Sequence, residues 1–391
     1  MKKKKVIQIL CHTLMNDKLL EYHVNGNWAT RAARSILKYS KDFECEVWYG
    51  VRKLPKKKVF KRENITFKLF PAKTLYGLLE SFYGVISCPG MLEELKKEDP
   101  KNTIINFQGE RGGIIHTIIN KFPYFKYTIQ YHGYGQPERL DWVENLILAP
   151  IERKTFPKVS HFFVHIKRRF PYLIDRIGID PKKLSFQNYG VDYARFKPGN
   201  KELARKKLDI PQKAFVMLYV GLMTRTKGVD KILSAYGVLK KKYPQLYLIL
   251  IGAQEKDPLI QEVKKVADRV VGVTKNEELP LYYHAADVYL FYGNKKTIEY
   301  AGTGTAPIEA LVSNVNVIST NLIHYPDEII KKVGFIPKNF TDFVTQIEYL
   351  IKHPKFKFNA RDIVFKYSSD EQKNKNIIHI YQELLKKPSC S

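Results

Sequence analysis

The sequence predicts an α/β protein made of two doubly wound domains, and three observations carry that expectation. Short apolar runs alternate with amphipathic helical patterns in two successive series. The chain of 391 residues exceeds the roughly 250 to 300 at which a single core usually stops growing. A stretch rich in Gly, Pro and charge separates the two series at residues 190–212.

The first series of runs is VIQIL (6–10), CEVWYG (45–50), TIINF (103–107), YTIQYHG (127–133) and HFFVHI (161–166). Their apolarity is continuous rather than alternating, as in strands buried on both faces of a parallel sheet. The second series is FVMLYVG (215–221), LYLILIG (246–252), RVVGV (269–273), DVYLFYG (287–293) and NVNVIST (314–320). Helical patterns lie between them, among them VDKILSAYGVLKKKYP (229–244) and APIEALVSN (306–314). The expected division is residues 1–195, residues 196–370 and a last helix, 371–391, returning to the first domain. In doubly wound sheets ligands bind beyond the carboxyl ends of the strands, so two such domains are expected to face each other across a binding cleft.

Composition sets the outer limits. Hydrophobic residues at 44% and charged residues at 27%, without long low-complexity tracts, describe a chain able to bury a core. The apolar start, Val6 to Leu10, is broken by Cys11, His12 and Thr13 before a signal-peptide core forms, and no window reaches the ~20 apolar residues of a membrane span. Cys11, Cys45, Cys88 and Cys390 lack metal-ligand or redox spacing, which fits reduced thiols and a cytoplasmic setting. The formal net charge of +27 implies attraction to nucleic acid, anionic membrane or phosphate-bearing ligands, or simply a solvated lysine-rich surface.

Two segments carry chemistry. YVGLMTRTKGVDKIL (219–233) reads as a buried strand, a glycine turn holding Arg225, Lys227 and Gly228, and then a helix. Two cations and helix-end amides suit a diphosphate, although an ordinary strand-to-helix loop with solvated cations has the same composition. It lacks the Gly-Lys-Ser/Thr ending of a Walker A loop. AGTGTAPIEALVSNVNVIST (301–320) places a glycine-rich turn before a helix. There Gly304, Thr305 and Ala306 offer close backbone approach and free amides, and Glu309 offers a carboxylate for a ribose diol. The alternative for Glu309 is a favourable acid near a helix N-terminus. The two segments together, about 80 residues apart, are more specific than either alone.

In order, the phrases NYGVDYARFKP, YVGLMTRTKGVDKILSAY, LYLILIG, NEELPLYYHAADVYLF and GTGTAPIEALVSNVNVIST give residues 186–350 a resemblance to the donor-binding half of the retaining GT-B glycosyltransferases called family 4, the glycosyl transferases group 1. The resemblance implies GT-B architecture and transfer of a hexosyl group from a nucleotide sugar, with retention, to a glycan, lipid-linked or small-molecule acceptor. It implies no bound metal and no permanent cofactor. It assigns donor diphosphate to Lys227, the glycine-rich turn to Gly302 and Gly304, and the ribose to Glu309. Two positions depart from the pattern. The family arginine falls at Leu222, with Arg225 three residues on, and the first motif glutamate falls at Ala301, with Glu299 two residues earlier. Glu299 is expected to fall short of the site. The first half resembles the family more loosely: His132 ends a strand where the family carries a histidine facing the donor sugar, and Gly26 sits in its glycine-rich turn. A strand-end histidine also serves purely structural ends.

The stretch 52–62 holds seven Lys or Arg and precedes the apolar-aromatic 74–87. In the resembled family such a region docks on anionic membranes, so a peripheral place at the inner membrane face is one expectation and a solvated loop the other. Specific nucleic-acid binding is not expected, since no recognised module appears. A GT-B protein that binds a nucleotide sugar without turning it over is the alternative to an enzyme.

Overall fold

The computed structural model describes residues 3–11, 27–74, 85–110, 112–132, 146, 148–294, 304–322 and 325–387. The chain divides into two compact units, one of Met1–Gln187 with Asn374–Ser391, the other of Asn188–Lys373. Among the described residues no helix is long and apolar enough to cross a membrane.

The first unit is organised by an eight-stranded sheet. Its strands are β1 (Lys4–Leu10), β2 (Phe43–Val51), β3 (Lys58–Arg62), β4 (Ile65–Pro71), β7 (Thr103–Gln108), β8 (Lys126–Tyr131), β9 (His161–Val164) and β10 (Leu184–Phe186), in the order β10-β9-β8-β7-β1-β2-β4-β3. The short pair β5 (Lys73–Thr74) and β6 (Val85–Ser87) forms a separate antiparallel ribbon. All neighbours in the large sheet are parallel except β3 and β4. Burial on both faces explains the unbroken apolar runs.

Helix α1 (Trp28–Tyr39) begins where Asn27 Oδ1 accepts the Thr30 amide at 2.9 Å, and it buries Ala29, Ala33 and Ile36. Those side chains share a core with Val6, Val47 and Phe67 and with Ile377, Ile378 and Tyr381 of the last helix, Asp370–Lys386. Each such buried aliphatic or aromatic side chain contributes about 1.5–3 kcal/mol.

The basic stretch 52–62 is not a free loop. It enters the edge strand β3, which turns through Glu63 and Asn64, both at positive φ, into β4. Arg34 clamps this turn with two hydrogen bonds to Glu63, at 2.5 and 3.0 Å. Of the seven cations, Arg52 is buried and Lys57 pairs with Glu94 at 2.7 Å, so the charge displayed outward is smaller than the count suggests.

The second unit holds five parallel strands: β11 (Phe215–Val220), β12 (Leu246–Ala253), β13 (Arg269–Gly272), β14 (Val288–Phe291) and β15 (Asn316–Ser319). Their order is β13-β12-β11-β14-β15, so the direction of winding reverses between β11 and β14. That reversal opens a crevice at the carboxyl ends of β11 and β14, the place where open α/β sheets bind ligands. Helix α2 (Val229–Lys242) follows β11, α3 (Leu279–Ala285) precedes β14, and α4 (Ala306–Val312) follows it.

Candidate site at the switch point of the second sheet

The loop after β11 runs from Gly221 through a single tight turn, Arg225–Lys227, to Gly228 and the start of α2. Thr224 to Gly228 fold back on themselves through the Lys227 amide to Thr224 O at 3.2 Å and the Gly228 amide to Arg225 O at 2.9 Å. Gly228 has φ +75°, and a Cβ placed there would lie 1.7 Å from Tyr292 O. The Asn294 amide donates to Thr226 O at 3.2 Å, so the loop is fastened to the chain leaving β14. Tyr219 OH donates to Leu222 O at 2.8 Å, and the Met223 amide points to the buried Asp257 carboxylate at 3.4 Å. The two sides of the switch point are therefore held together by backbone contacts.

Lys227 is half-buried in this loop, and burial pushes its ammonium below the ordinary lysine range. Among the described residues no carboxylate pairs with it, so the lost solvation is not offset by a protein anion. A desolvated cation at a sheet's switch point is a candidate anion site. Arg225 is exposed and lies 3.6 Å from the exposed Glu262, a pair of little energetic weight that leaves the guanidinium available to a ligand. Leu222 is exposed beside them.

On the other side of the crevice, Gly304 adopts φ +70° and Thr305 opens α4, with Pro307 in its first turn. The first amides of this helix have no intrahelical acceptor. Glu309 is buried beneath that turn, where Tyr283 OH of α3 donates to its Oε2 at 2.8 Å and also approaches Ala306 O at 3.2 Å. Burial and the Glu309 carboxylate together drive the Tyr283 hydroxyl far above its usual range, so it stays a donor at every working pH. Tyr283 is the partner that sequence reasoning missed; its signal lay in the LPLYYHAAD phrase, where the second tyrosine falls on the inward face of α3. We expect Tyr283→Phe to free the Glu309 carboxylate from its orientation and weaken nucleotide binding about threefold to tenfold, while Glu309→Ala costs more; calorimetric titration of both variants checks the order.

In the first unit, His132 directly follows β8 and is buried. Its amide donates to Glu110 Oε2 at 3.0 Å, its ring stacks on His165 at 4.7 Å and 3°, and Trp28 leans on it at 5.4 Å. Gly26, Glu299, Ala301 and Gly302 lie outside the described residues. Among the described residues no cluster of three His, Cys, Asp or Glu side chains is placed to hold a metal ion.

Comparison with known proteins places this geometry. Residues 200–365 match the family model of glycosyl transferases group 1. The capsular polysaccharide biosynthesis glycosyltransferase CapM of Staphylococcus aureus is 27% identical over 169 residues, 41% of this chain and 43% of that protein. The chain thus spans less than half the length of the curated relatives it matches first. Among solved structures, sucrose-phosphate synthase from Thermosynechococcus elongatus superposes with a TM-score of 0.71 at 18% identity, covering 98% of this chain and all of the other. HepE of Anabaena, solved with UDP and glucose, superposes with a TM-score of 0.66 at 14% identity over 97% of this chain and 99% of its own. The chain has the GT-B fold, and its residues 200–365 are similar to the glycosyl transferases group 1.

Proposed function

We propose that this chain transfers a hexosyl group from a nucleoside-diphosphate sugar to an acceptor hydroxyl with retention of configuration. The observation that carries the reading is Lys227, a desolvated cation with no carboxylate partner among the described residues, at the switch point of a domain that matches the group 1 model. In the reaction the bond between the anomeric carbon and the diphosphate oxygen breaks, and its electron pair leaves with the diphosphate. The acceptor oxygen bonds the same carbon from the face the leaving group vacates, and the acceptor proton passes to the departing diphosphate. Lys227 and Arg225 stabilise the charge that develops on that diphosphate, and the amides at Thr305 and Ala306 add to them. Glu309, oriented by Tyr283, holds the ribose hydroxyls. The complex of HepE with UDP and glucose, on the same fold, supports a nucleotide-sugar donor.

A thermal-shift panel of UDP-, GDP- and ADP-sugars tests this reading, because a ligand at a hundredfold excess over its dissociation constant adds about 2.7 kcal/mol to folding stability. No shift with any of them sinks it. The lowered Lys227 pKa adds a signature. A bound diphosphate favours the charged form and restores the proton, so between the lowered pKa and the ordinary lysine value binding takes up protons and affinity falls as pH rises. Calorimetry in buffers of different ionisation enthalpy should record that uptake as the pH is raised through this window.

The exposed cations Lys53, Lys56, Lys61 and Arg62 around β3 extend the proposal to reversible docking on an anionic bilayer. Co-sedimentation with phosphatidylglycerol vesicles at low salt is the expected result. Equal recovery with neutral vesicles removes this part of the reading.

A further inference from the structure

In the second sheet two aspartates play the same structural part in unequal company. Asp268 and Asp287 each stand one residue before a strand, β13 and β14. Each accepts an amide of the neighbouring strand: Leu248 donates to Asp268 Oδ2 at 2.7 Å, and Val216 donates to Asp287 Oδ2 at 2.6 Å. Such a staple satisfies a backbone donor at the amino edge of the sheet. Asp268 does this with one cation paired to it, Lys240 at 3.5 Å. Asp287 has three cations around it. Lys201 Nζ lies 2.6 Å from its Oδ1 and Arg205 Nη2 lies 2.6 Å from its Oδ2, both on the short helix Lys201–Lys207, and Lys357 adds its charge to the same group.

Lys357 is held there by the fold. It lies between Phe356 and Phe358, whose carbonyl and amide bond the side chain of the buried Asn316 at 2.9 and 3.1 Å. Asn316 in turn pairs in register with Val288, the residue after Asp287. Part of the Lys357 side chain stays exposed. Desolvation of its ammonium, with the charges of Lys201 and Arg205, nonetheless keeps it below the ordinary lysine range against the pull of Asp287. Three cations less one carboxylate leave an excess of two positive charges. The staple at Asp268 shows that the sheet edge needs no such excess. Arg205 is buried and also bonds Ala285 O at 3.1 Å and Gln212 O at 2.6 Å, so it is a fixed part of the fold. Lys201, with a side chain 34% exposed, gives Asp287 one of the three donors an ammonium carries.

We propose that Lys201 and Lys357, together with the Arg205–Asp287 pair, form a binding site for a phosphate group at the amino edge of the second sheet. A phosphate carries a charge of about −1.5 to −2 at neutral pH, which matches the excess, and its oxygens accept from both ammonium groups in charge-assisted bonds. Strand β11 spans six residues, so this edge lies about 20 Å from the crevice at the carboxyl ends. The site is therefore separate from the one assigned to the nucleotide sugar and does not depend on that reading. A free phosphate or phosphomonoester and the headgroup of phosphatidic acid share this chemistry.

The test is thermal-shift and calorimetric titration of the full chain with orthophosphate, carried out in Lys227→Met so that the crevice cannot answer for the edge. The expected result is a melting temperature that rises with phosphate, and an affinity at least fivefold weaker once Lys357→Met is added. Without phosphate, Lys357→Met should melt no lower than its parent, because the ammonium it removes is repelled by two neighbours. Lys201→Gln should weaken phosphate at least threefold, and it gives a reading even if Lys357→Met fails to fold. A second arm measures co-sedimentation with phosphatidylcholine vesicles that contain phosphatidic acid. A response to orthophosphate that depends on Lys357 identifies a free phosphate or phosphomonoester; sedimentation that depends on Lys357 without such a response identifies the lipid headgroup. The inference is overturned if neither arm responds, or if folded Lys357→Met and Lys201→Gln match their parent in both.

Discussion

Lys227→Met should weaken nucleoside-diphosphate affinity, and kcat/KM for transfer, at least tenfold, because a charge-assisted phosphate contact is worth about 1.5–3 kcal/mol. The same substitution should leave the fold as stable or more so. Lys227 is half-buried, its ammonium is desolvated, and no carboxylate among the described residues compensates it, so the folded protein carries an electrostatic cost that methionine removes while keeping the packing of the stem. Opposite movements of affinity and melting temperature separate this role from an ordinary surface lysine. If both stay unchanged, Lys227 has no part in the site; if both fall together, its role is structural.

Gly228→Ala should be among the most damaging single-methyl changes in the second unit. The new Cβ would lie 1.7 Å from Tyr292 O and 2.2 Å from Tyr292 C, and the residue sits at φ +75°. Relief requires the β11 loop to part from the end of β14, which also breaks the bond from the Asn294 amide to Thr226. We expect a loss of about 3 kcal/mol or more in denaturant unfolding, with donor binding abolished. Gly237→Ala is the internal comparison. Gly237 lies on the exposed face of α2 with nothing within 4 Å of an added Cβ, so there the same methyl should stabilise by about 0.5–1 kcal/mol. Equal effects at the two glycines would mean that the loop is not clamped as described.

What could be read in advance follows from how each element is stabilised. Strands buried on both faces announce themselves, so the runs at 215–221, 246–252 and 287–293 become β11, β12 and β14, and the turn with its following helix falls within Arg225–Lys242. The β3–β4 hairpin was not legible, because an edge strand keeps its lysines in water and its apolar alternation is covered by charge. Glu309 was legible as a residue but not as a buried group, since its environment is set by Tyr283, which reaches it from another helix.

The first unit is interrupted in sequence: the chain leaves it at Gln187, completes the second unit, and returns at Asn374. Tyr381 of the returning helix packs against Phe43 and Phe163, at 6.2 Å from each ring, and buries its hydroxyl beside Thr128 and Gln8. On a ribosome, synthesis proceeds from one end, so the sheet of the first unit emerges early but lacks this covering helix until the whole of the second unit has been made. The second unit, continuous from Asn188 to Lys373, has all its elements made before that helix is complete. The unit begun first is therefore completed last, and the face of the early sheet that Tyr381 covers waits for that helix.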